Sequence, residues 1–527
     1  MRFATLLQKR PIPIPTSIAA AVLLCTMLAG CAGAPSGSQT GAATTHATVD
    51  PIGLLPMTGY DQNIDHWLKP SAPDYDRPFL SAARQQAHFA ALWARYFGTG
   101  ARDPSPWNPD FVTNRVYSEL GSDIADLQRR RLAAFDNDGK PAHRIGYGQN
   151  DRPHTEAWIN AISDNVDLDQ FESNPHYDPA RRAIATDSAP LRELPTMDPS
   201  YYDHRLAGEG YPFDNLQISS VRPGTPLYIL GTSRDGAWRY VQTPDVQGWV
   251  ESTQVSLVDD AFVDTWRRAA RATLGGVIAA AVPVRDSDGV YRFAAPAGTL
   301  LPFASVQTGG GWDGNTAGSA VLIPLRDVDG HARIGQASMS GTQIVPLPYA
   351  ATPHHLAVLI KALIGRPYGW GNLDNYNDCS SELQSIFAVF GVWLPRHSST
   401  QMNAGQMVDL SEQSPAARLD YLMQNGKPMR TLIYIGGHVM LYLGNYNFNQ
   451  QTVPVVYQDI WGLSPADDSR RAVIGGSVIL PLQLHIPQDP ALTSLAGKRI
   501  FQITILGDPT GNPNGAAPQD NADNPAS

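Results

Sequence analysis

The placement of the cysteines sets the strongest limit on how this chain can fold. The 527-residue sequence has three, Cys25, Cys31 and Cys379, and the first two lie in an apolar N-terminal segment. The rest of the chain therefore holds one thiol, which excludes an internal disulfide and a cysteine-based zinc site there. Hydrophobic cores must stabilise its folds, and a chain of this length has room for about three or four domains.

The charge of the chain argues against one class of partner. Acidic residues outnumber basic ones by 49 to 39, and the formal net charge is −10. A field of that sign repels phosphate backbones, so we expect no nucleic-acid partner. We also expect no cofactor or metal. His354-His355 has no partner at ligand spacing, and Gly309-Gly310-Gly311 lacks the Lys and Ser/Thr of a phosphate-binding loop.

The N-terminus has the pattern of an export signal. Basic residues precede an apolar stretch from Ile18 to Leu28, which is too short to span a bilayer. The tetrad ending in Cys31, Leu-Ala-Gly-Cys, resembles a bacterial lipobox, and the alternative is an ordinary signal peptide cut nearby. The lipobox implies a signal peptide at 1–30 and acylation of Cys31. By resemblance to Gram-negative lipoproteins we expect an anchor in the outer membrane, facing the periplasm, followed by a flexible tether at 31–54.

The pattern of apolar and turn residues changes along the body of the chain. Residues 55–180 have irregular helical periodicity and predict a helical N-terminal domain. Residues 181–258 then alternate short strands with turns, including an Asp-Gly turn at 235–236 and a closing Gly-Trp-Val at 248–250. This pattern resembles a bacterial SH3 domain, and residues 259–350 resemble a second, weaker copy. Such small barrels fill their interiors with side chains.

The remaining lone thiol lies in a mixed α/β region at 351–506. Cys379 begins a helix-like stretch, where unpaired N–H groups and the positive end of the helix dipole favour a thiolate. A thiolate nucleophile needs an imidazole and a third group that orients the ring. His438 precedes an apolar strand pattern, and Gln458 follows another. Residues 507–527 lack periodicity and are predicted to be disordered.

These motifs together resemble the NlpC/p60 cysteine peptidases. The stretches that carry the resemblance are GRPYGWG, DCSS and FGVWLPRHSSTQ, followed by GGHVMLYLG and VVYQDIWGL. The family has a papain-like fold and cuts peptidoglycan stem peptides. The resemblance implies a multidomain α+β protein with a helical N-terminal region, two small SH3-like β-barrels and a C-terminal papain-like α+β domain.

The resemblance also implies roles for individual residues. Cys379 matches the nucleophile and His438 the general base, while Gln458 stands where the family usually has a second histidine. Tyr368 matches a tyrosine beside the oxyanion, and Asp378, Ser380 and Ser398 match positions that contact the substrate's free amine and D-glutamate carboxylate. Tyr201, Tyr202 and Asp214 are further candidates that the sequence cannot place.

The expected function is a murein endopeptidase that cleaves the γ-D-glutamyl–meso-diaminopimelate bond, with a preference for a free N-terminal L-alanine. Peptidoglycan stem peptides are the expected partners, and the oligomeric state stays open. The alternatives are a weakly catalytic protein that binds wall peptides, or an amidase or transpeptidase on the same fold.

Overall fold

A computed structural model of the protein describes residues 52–172, 175–305 and 318–507. The predicted signal peptide, the predicted acylation site Cys31, most of the predicted tether and the tail beyond Gly507 lie outside these ranges. Among the described residues, no helix combines the length and apolar character that crossing a bilayer requires.

The N-terminal region is helical, as its periodicity predicts. One part of the tether prediction is wrong, because residues 52–54 form strand β1 and pair in parallel with a strand of the C-terminal sheet. Serine, threonine and asparagine side chains cap several of the helices that follow, satisfying backbone N–H groups that would otherwise lack partners. The elements are β1 (Ile52–Leu54), α1 (Ile64–Trp67), α2 (Ala82–Phe97), α3 (Pro109–Phe111), α4 (Ser118–Phe135), α5 (Glu156–Val166) and α6 (Asp169–Glu172).

The first strand-rich unit forms a seven-stranded antiparallel sheet among the described residues, in the order β4-β3-β7-β6-β5-β2-β8. Its buried aromatic side chains, including Tyr240 and Trp249, pack with buried apolar side chains of α4 to α6 in one core. The helical region and this unit therefore share a hydrophobic interior. The strands are β2 (Arg182–Ala185), β3 (Ala189–Arg192), β4 (Gln217–Val221), β5 (Pro226–Thr232), β6 (Trp238–Gln242), β7 (Gln247–Glu251) and β8 (Val255–Leu257).

The second strand-rich unit follows helix α7 and is divided into three small described sheets, β10-β11, β12-β9-β15 and β13-β14. Its interior is continuous with that of the C-terminal domain, because Phe293 and Phe303 belong to the same buried cluster as Phe387 and Phe390. The elements are α7 (Asp260–Ala272), β9 (Leu274–Val277), β10 (Ala281–Arg285), β11 (Tyr291–Pro296), β12 (Leu300–Pro302), β13 (Ser319–Arg326), β14 (Ala332–Met339) and β15 (Ile344–Pro346).

The C-terminal domain is a sheet packed between helices. Its strands, as far as the chain is described, run in the order β1-β20-β19-β18-β17-β21-β16. Alternate residues of β18 face two different cores: Leu441 packs in the cluster of α9, and Met440 in the cluster of α10. The elements are α8 (Pro353–Leu363), α9 (Cys379–Val389), β16 (Gln406–Asp409), α10 (Pro415–Asn425), β17 (Thr431–Tyr434), β18 (Val439–Phe448), β19 (Gln451–Leu463), β20 (Arg471–Pro481) and β21 (Gln502–Ile505). The predicted multidomain α+β architecture is confirmed.

Candidate active site

The lone thiol of the body lies where the sequence places it, on the first residue of α9. Asp378 caps the helix by accepting a hydrogen bond from the Ser381 backbone N–H at 2.9 Å. The Ser381 hydroxyl accepts one from the Asp378 N–H, also at 2.9 Å, which completes a capping box. This reciprocal cap fixes the first turn of the helix and therefore the position of Cys379, whose side chain is buried.

The candidate base comes from the adjoining sheet. His438 immediately precedes β18, and the Cys379 Sγ lies 3.9 Å from the carbonyl oxygen of Gly437. On the next strand Gln458 is fully buried, and its Oε1 lies 2.7 Å from Nε2 of His438. With the amide oxygen as acceptor, Nε2 carries the proton and Nδ1 is the basic nitrogen. The structure thus brings Cys379, the His438 segment and Gln458 together.

Burial sets the charge of both catalytic candidates in the free protein. It lowers the pKa of His438 to about 4, so the imidazole is neutral at pH 7. Burial and the Asp378 carboxylate raise the pKa of Cys379 to about 12. In the free protein this shift opposes the thiolate that was expected at the helix N-terminus. Both groups rest in their neutral forms.

Two residues expected to contact the substrate, Asp378 and Ser380, already form hydrogen bonds with Arg396. Nη2 of the buried Arg396 donates to Oδ2 of Asp378 at 2.6 Å, and Nη1 donates to the Ser380 hydroxyl at 2.8 Å. The guanidinium holds the pKa of Asp378 below its usual value, against the effect of burial. Ser398 is half-buried on the loop that follows Pro395. Asp378 is thus an ionised helix cap rather than a free acceptor.

Tyr368, Trp370 and Trp461 form an aromatic wall, to which the first strand-rich unit adds Phe213. The ring centroid of Phe213 lies 5.4 Å from those of Trp370 and Trp461 and 6.3 Å from that of Tyr368. Burial raises the pKa of Tyr368 well above its usual value, so the phenol keeps its proton and can donate a hydrogen bond. No sequence motif marks Phe213; the length of the loop between β3 and β4 was the available signal.

The same loop carries Glu209 beside two cations. Burial raises the pKa of Glu209 to about 7, although Arg471 and Arg144 oppose this shift. The loop also approaches Arg471 closely, because a Cβ on Gly208 would come within 2.4 Å of its guanidinium. Glu209 is a carboxyl group that changes charge near neutral pH, and no sequence motif marks it.

The three candidates that the sequence could not place have different surroundings. Asp214 is buried and accepts a 2.6 Å hydrogen bond from Nη1 of Arg192, so its carboxylate serves the fold. Tyr202 accepts a 3.3 Å hydrogen bond from Arg144, and the backbone of Tyr201 pairs with Tyr147.

A second buried carboxyl group, Asp459, lies directly after Gln458 in β19. Its side chain is 1% exposed, and neither oxygen has a hydrogen-bond partner among the described residues. Burial, together with Glu382 and Asp378, raises its pKa well above the usual value. When ionised, Asp459 in turn raises the pKa values of Cys379 and Tyr368, so its carboxyl group is coupled electrostatically to the centre.

No group of three or more histidine, cysteine or acidic side chains within the described ranges is arranged to hold a metal ion. The chemistry that the arrangement offers is nucleophilic: a thiol, a neutral imidazole oriented by an amide, and two candidate hydrogen-bond donors for an oxyanion, the Cys379 N–H and the Tyr368 hydroxyl.

Family models match three segments of the chain. Residues 199–251 match an SH3 domain of SH3b1 type, residues 259–305 an SH3 domain of SH3b2 type, and residues 365–461 the NlpC/P60 family. The SH3b1 and NlpC/P60 matches lie within the domains predicted at 181–258 and 351–506. The SH3b2 match covers the first half of the domain predicted at 259–350.

Among solved structures, the chain is similar to an NlpC/P60 endopeptidase from Photobacterium damselae subsp. piscicida. The two are 27% identical with a TM-score of 0.72, over 87% of this chain and 100% of that one. An NlpC/P60 family protein from Bacillus cereus is 15% identical with a TM-score of 0.37, over 59% of this chain and 98% of that one. No curated protein matches the sequence.

Proposed function

We propose that this chain, in which family models match two SH3 domains and an NlpC/P60 domain, is a cysteine endopeptidase of peptidoglycan that cuts the γ-D-glutamyl–meso-diaminopimelate bond. One observation carries the proposal. A thiol at a helix N-terminus adjoins the segment of His438, whose Nε2 is held by Gln458 at 2.7 Å. This is the arrangement that thiol-dependent acyl transfer requires.

The neutral thiol of Cys379 and the neutral imidazole of His438 set the order of the proton transfers. As Sγ of Cys379 attacks the γ-carbonyl carbon, the thiol proton passes to Nδ1 of His438, and Nε2–H stays bonded to Gln458. The backbone N–H of Cys379 and the Tyr368 hydroxyl stabilise the oxyanion, which contributes several kcal/mol in enzymes of this kind. The imidazolium then protonates the departing amine. Water, deprotonated by the imidazole, hydrolyses the thioester and regenerates the thiol.

A preference for a free N-terminal L-alanine is the finer part of the proposal. Phe213 packs against Tyr368 and Trp461, which supports a cleft closed at one end by the first SH3 domain. A free ammonium group needs a carboxylate, and Asp378 is already paired with Arg396. Glu209 lies on the loop that carries Phe213, and it is the acid that we assign to this ammonium group.

The location of the enzyme is also a proposal. A lipid anchor on Cys31 in the outer membrane would hold the catalytic domain in the periplasm, next to its substrate. Labelling with a radioactive fatty acid should mark the wild-type chain and not Cys31→Ala. Equal labelling of both chains would contradict the anchor.

A second candidate function has two observations in its favour. The pKa of Cys379 is raised to about 12, and a neutral amide stands where the family usually has a histidine, so the chain could bind wall peptides with little or no cleavage. An amidase or transpeptidase on the same fold would use the same nucleophile on a different bond.

Digestion of L-Ala-γ-D-Glu-diaminopimelate peptides, read by mass spectrometry, separates these functions. Cys379→Ala is the control, and parallel samples carry the same stem attached to N-acetylmuramic acid. Release of L-Ala-D-Glu by wild type alone, faster from the free stem, is the expected result. Binding without cleavage would favour the wall-peptide binder, and other product masses would identify another bond.

A further inference from the structure

The first SH3 domain contacts the loop that leads into the nucleophile. Three residues of β4 make these contacts. Gln217 Nε2 donates to the Gly371 carbonyl oxygen at 2.9 Å, and the Ser220 hydroxyl donates to the Asn372 carbonyl oxygen at 3.1 Å. The Ser219 hydroxyl lies 3.4 Å from Oδ1 of Asn372. The polar edge of one domain therefore holds the backbone of another, seven to eight residues before Cys379.

This loop has a backbone that needs such support. Gly371, Asn372, Asp374 and Asn375 all have φ values between +54° and +62°, in the left-handed region that disfavours most L-residues. A Cβ at Gly371 would lie 2.7 Å from the carbonyl oxygen of Gln217, so only glycine permits this approach. The unusual backbone and the SH3 strand thus fit each other closely.

Arg396 extends the connection to the helix cap. Its Nε donates to the Ser219 hydroxyl at 2.7 Å, while its two terminal nitrogens bind the carboxylate of Asp378 at 2.6 and 3.2 Å. Nη1 also donates to the Ser380 hydroxyl. One buried guanidinium therefore joins a side chain of the SH3 domain to the residues on both sides of the nucleophile. Its planar fork restricts where each partner can lie.

We propose that the first SH3 domain is part of the catalytic centre, with Ser219 acting through Arg396 as a positioning residue for Cys379. The role differs from that of the aromatic wall, which selects substrates. Ser219 and Arg396 fix the start of α9, and with it the thiol and the Cys379 N–H that faces the oxyanion. The inference rests on the proposed function only in taking Cys379 as the nucleophile.

The variant Ser219→Ala in the full chain tests the proposal, since it leaves the Arg396–Asp378 pair intact. Alkylation of Cys379 by iodoacetamide, followed by peptide mass spectrometry, reads the thiol without any assumed substrate. We expect the alkylation rate and kcat on the free stem to fall about three- to tenfold, with KM within about twofold and the melting temperature nearly unchanged.

The matched control is Ser252→Ala, which removes a serine hydrogen bond from the same domain at the Gly236 turn. It should leave both rates unchanged. Unchanged rates in Ser219→Ala, a loss confined to KM, or an equal loss in Ser252→Ala would each overturn the proposal. If wild type cleaves no stem peptide, the proposed function fails, while the alkylation rates still test the role of Ser219.

A double-mutant cycle tests the route through Arg396. Arg396→Lys keeps the charge but loses the fork, and we expect its alkylation rate to fall about tenfold or more. Adding Ser219→Ala to Arg396→Lys should then change the rate less than about twofold, because the connection is already broken. Full multiplication of the two effects would mean that Ser219 does not act through Arg396, and the proposal would fail.

Discussion

His438 and Gln458 are joined by a hydrogen bond of 2.7 Å between Nε2 and Oε1, in a site where burial lowers the pKa of the imidazole to about 4. The amide fixes the tautomer and ring orientation, and it adds no negative charge to stabilise an imidazolium. This chain therefore keeps its base neutral over a wide pH range. The departure of Gln458 from the usual histidine has a measurable consequence.

Gln458→Ala should lower kcat about a hundredfold with little effect on KM, because the ring loses its orienting partner. Gln458→Glu should retain the orientation and raise the pKa of His438, since a carboxylate favours the imidazolium. The acidic limb of kcat/KM, near pH 4 in wild type, should then move to higher pH. An acidic limb at the same pH in both proteins would contradict the role assigned to Gln458.

The neutral resting state predicts how the free thiol reacts with pH. Because the pKa of Cys379 is raised to about 12, its thiolate fraction grows tenfold per pH unit through the neutral range. Iodoacetamide labelling of Cys379 should therefore keep rising from pH 6 to 9. A plateau that begins below pH 7 would instead indicate a thiolate–imidazolium pair in the free protein.

Glu209 should make substrate binding depend on pH. The group is neutral below its pKa of about 7 and ionised above it, so affinity for a free ammonium group should rise as the pH passes through 7. KM for the free stem should be lower at pH 8 than at pH 6 in wild type. In Glu209→Gln the two values should be similar, and a pH-dependent KM in this variant would contradict the assignment.

The aromatic wall should control discrimination between substrates. Phe213→Ala removes a buried ring from contact with Tyr368 and Trp461, at a cost of about 3 kcal/mol in the free energy of unfolding. The ratio of kcat/KM for the free stem to that for the muramic-acid-linked stem should fall toward one. Phe213→Leu, which keeps an apolar group in place, is the control and should retain most of the ratio.

Asp459 should affect stability in a pH-dependent way. Its folded-state pKa is raised, so folding is favoured while the group stays protonated and is progressively disfavoured as the pH rises above the unfolded-state value near 4. Asp459→Asn imitates the protonated form. Its melting temperature should exceed that of wild type at pH 8 and match it near pH 4. If wild type and Asp459→Asn have the same melting temperature as each other at pH 8 as well as near pH 4, the pKa of Asp459 does not change on folding.

Local patterns in the sequence were enough to predict several elements of the fold. Runs of apolar residues predicted the strand that begins at Val439 and the strand over residues 453–457, and helical spacing predicted the helix after Cys379. These patterns depend on neighbours a few residues apart, which a single sequence displays directly. They also placed Cys379 at the start of a helix and His438 before a strand, whereas Gln458, predicted to follow a strand, lies within β19.

Other features depend on contacts between distant segments. Phe213 and Glu209 lie on a loop with no motif of its own, and Ser219 meets Arg396 across a separation of 177 residues. Strand β1 was predicted as tether because its three residues form a strand only when they meet the edge of β20. Such pairings depend on which surfaces face each other in three dimensions.

The sequence by itself predicted the order of the domains and the candidates for the nucleophile, the base and the group that orients the base, because local residue patterns carry these signals. The tertiary structure alone decided the charge of those groups. A helix N-terminus favours a thiolate wherever it occurs, yet burial and the Asp378 carboxylate raise the pKa of Cys379 to about 12. Desolvation is a property of the packed site, and no local pattern reports how completely water is excluded from it.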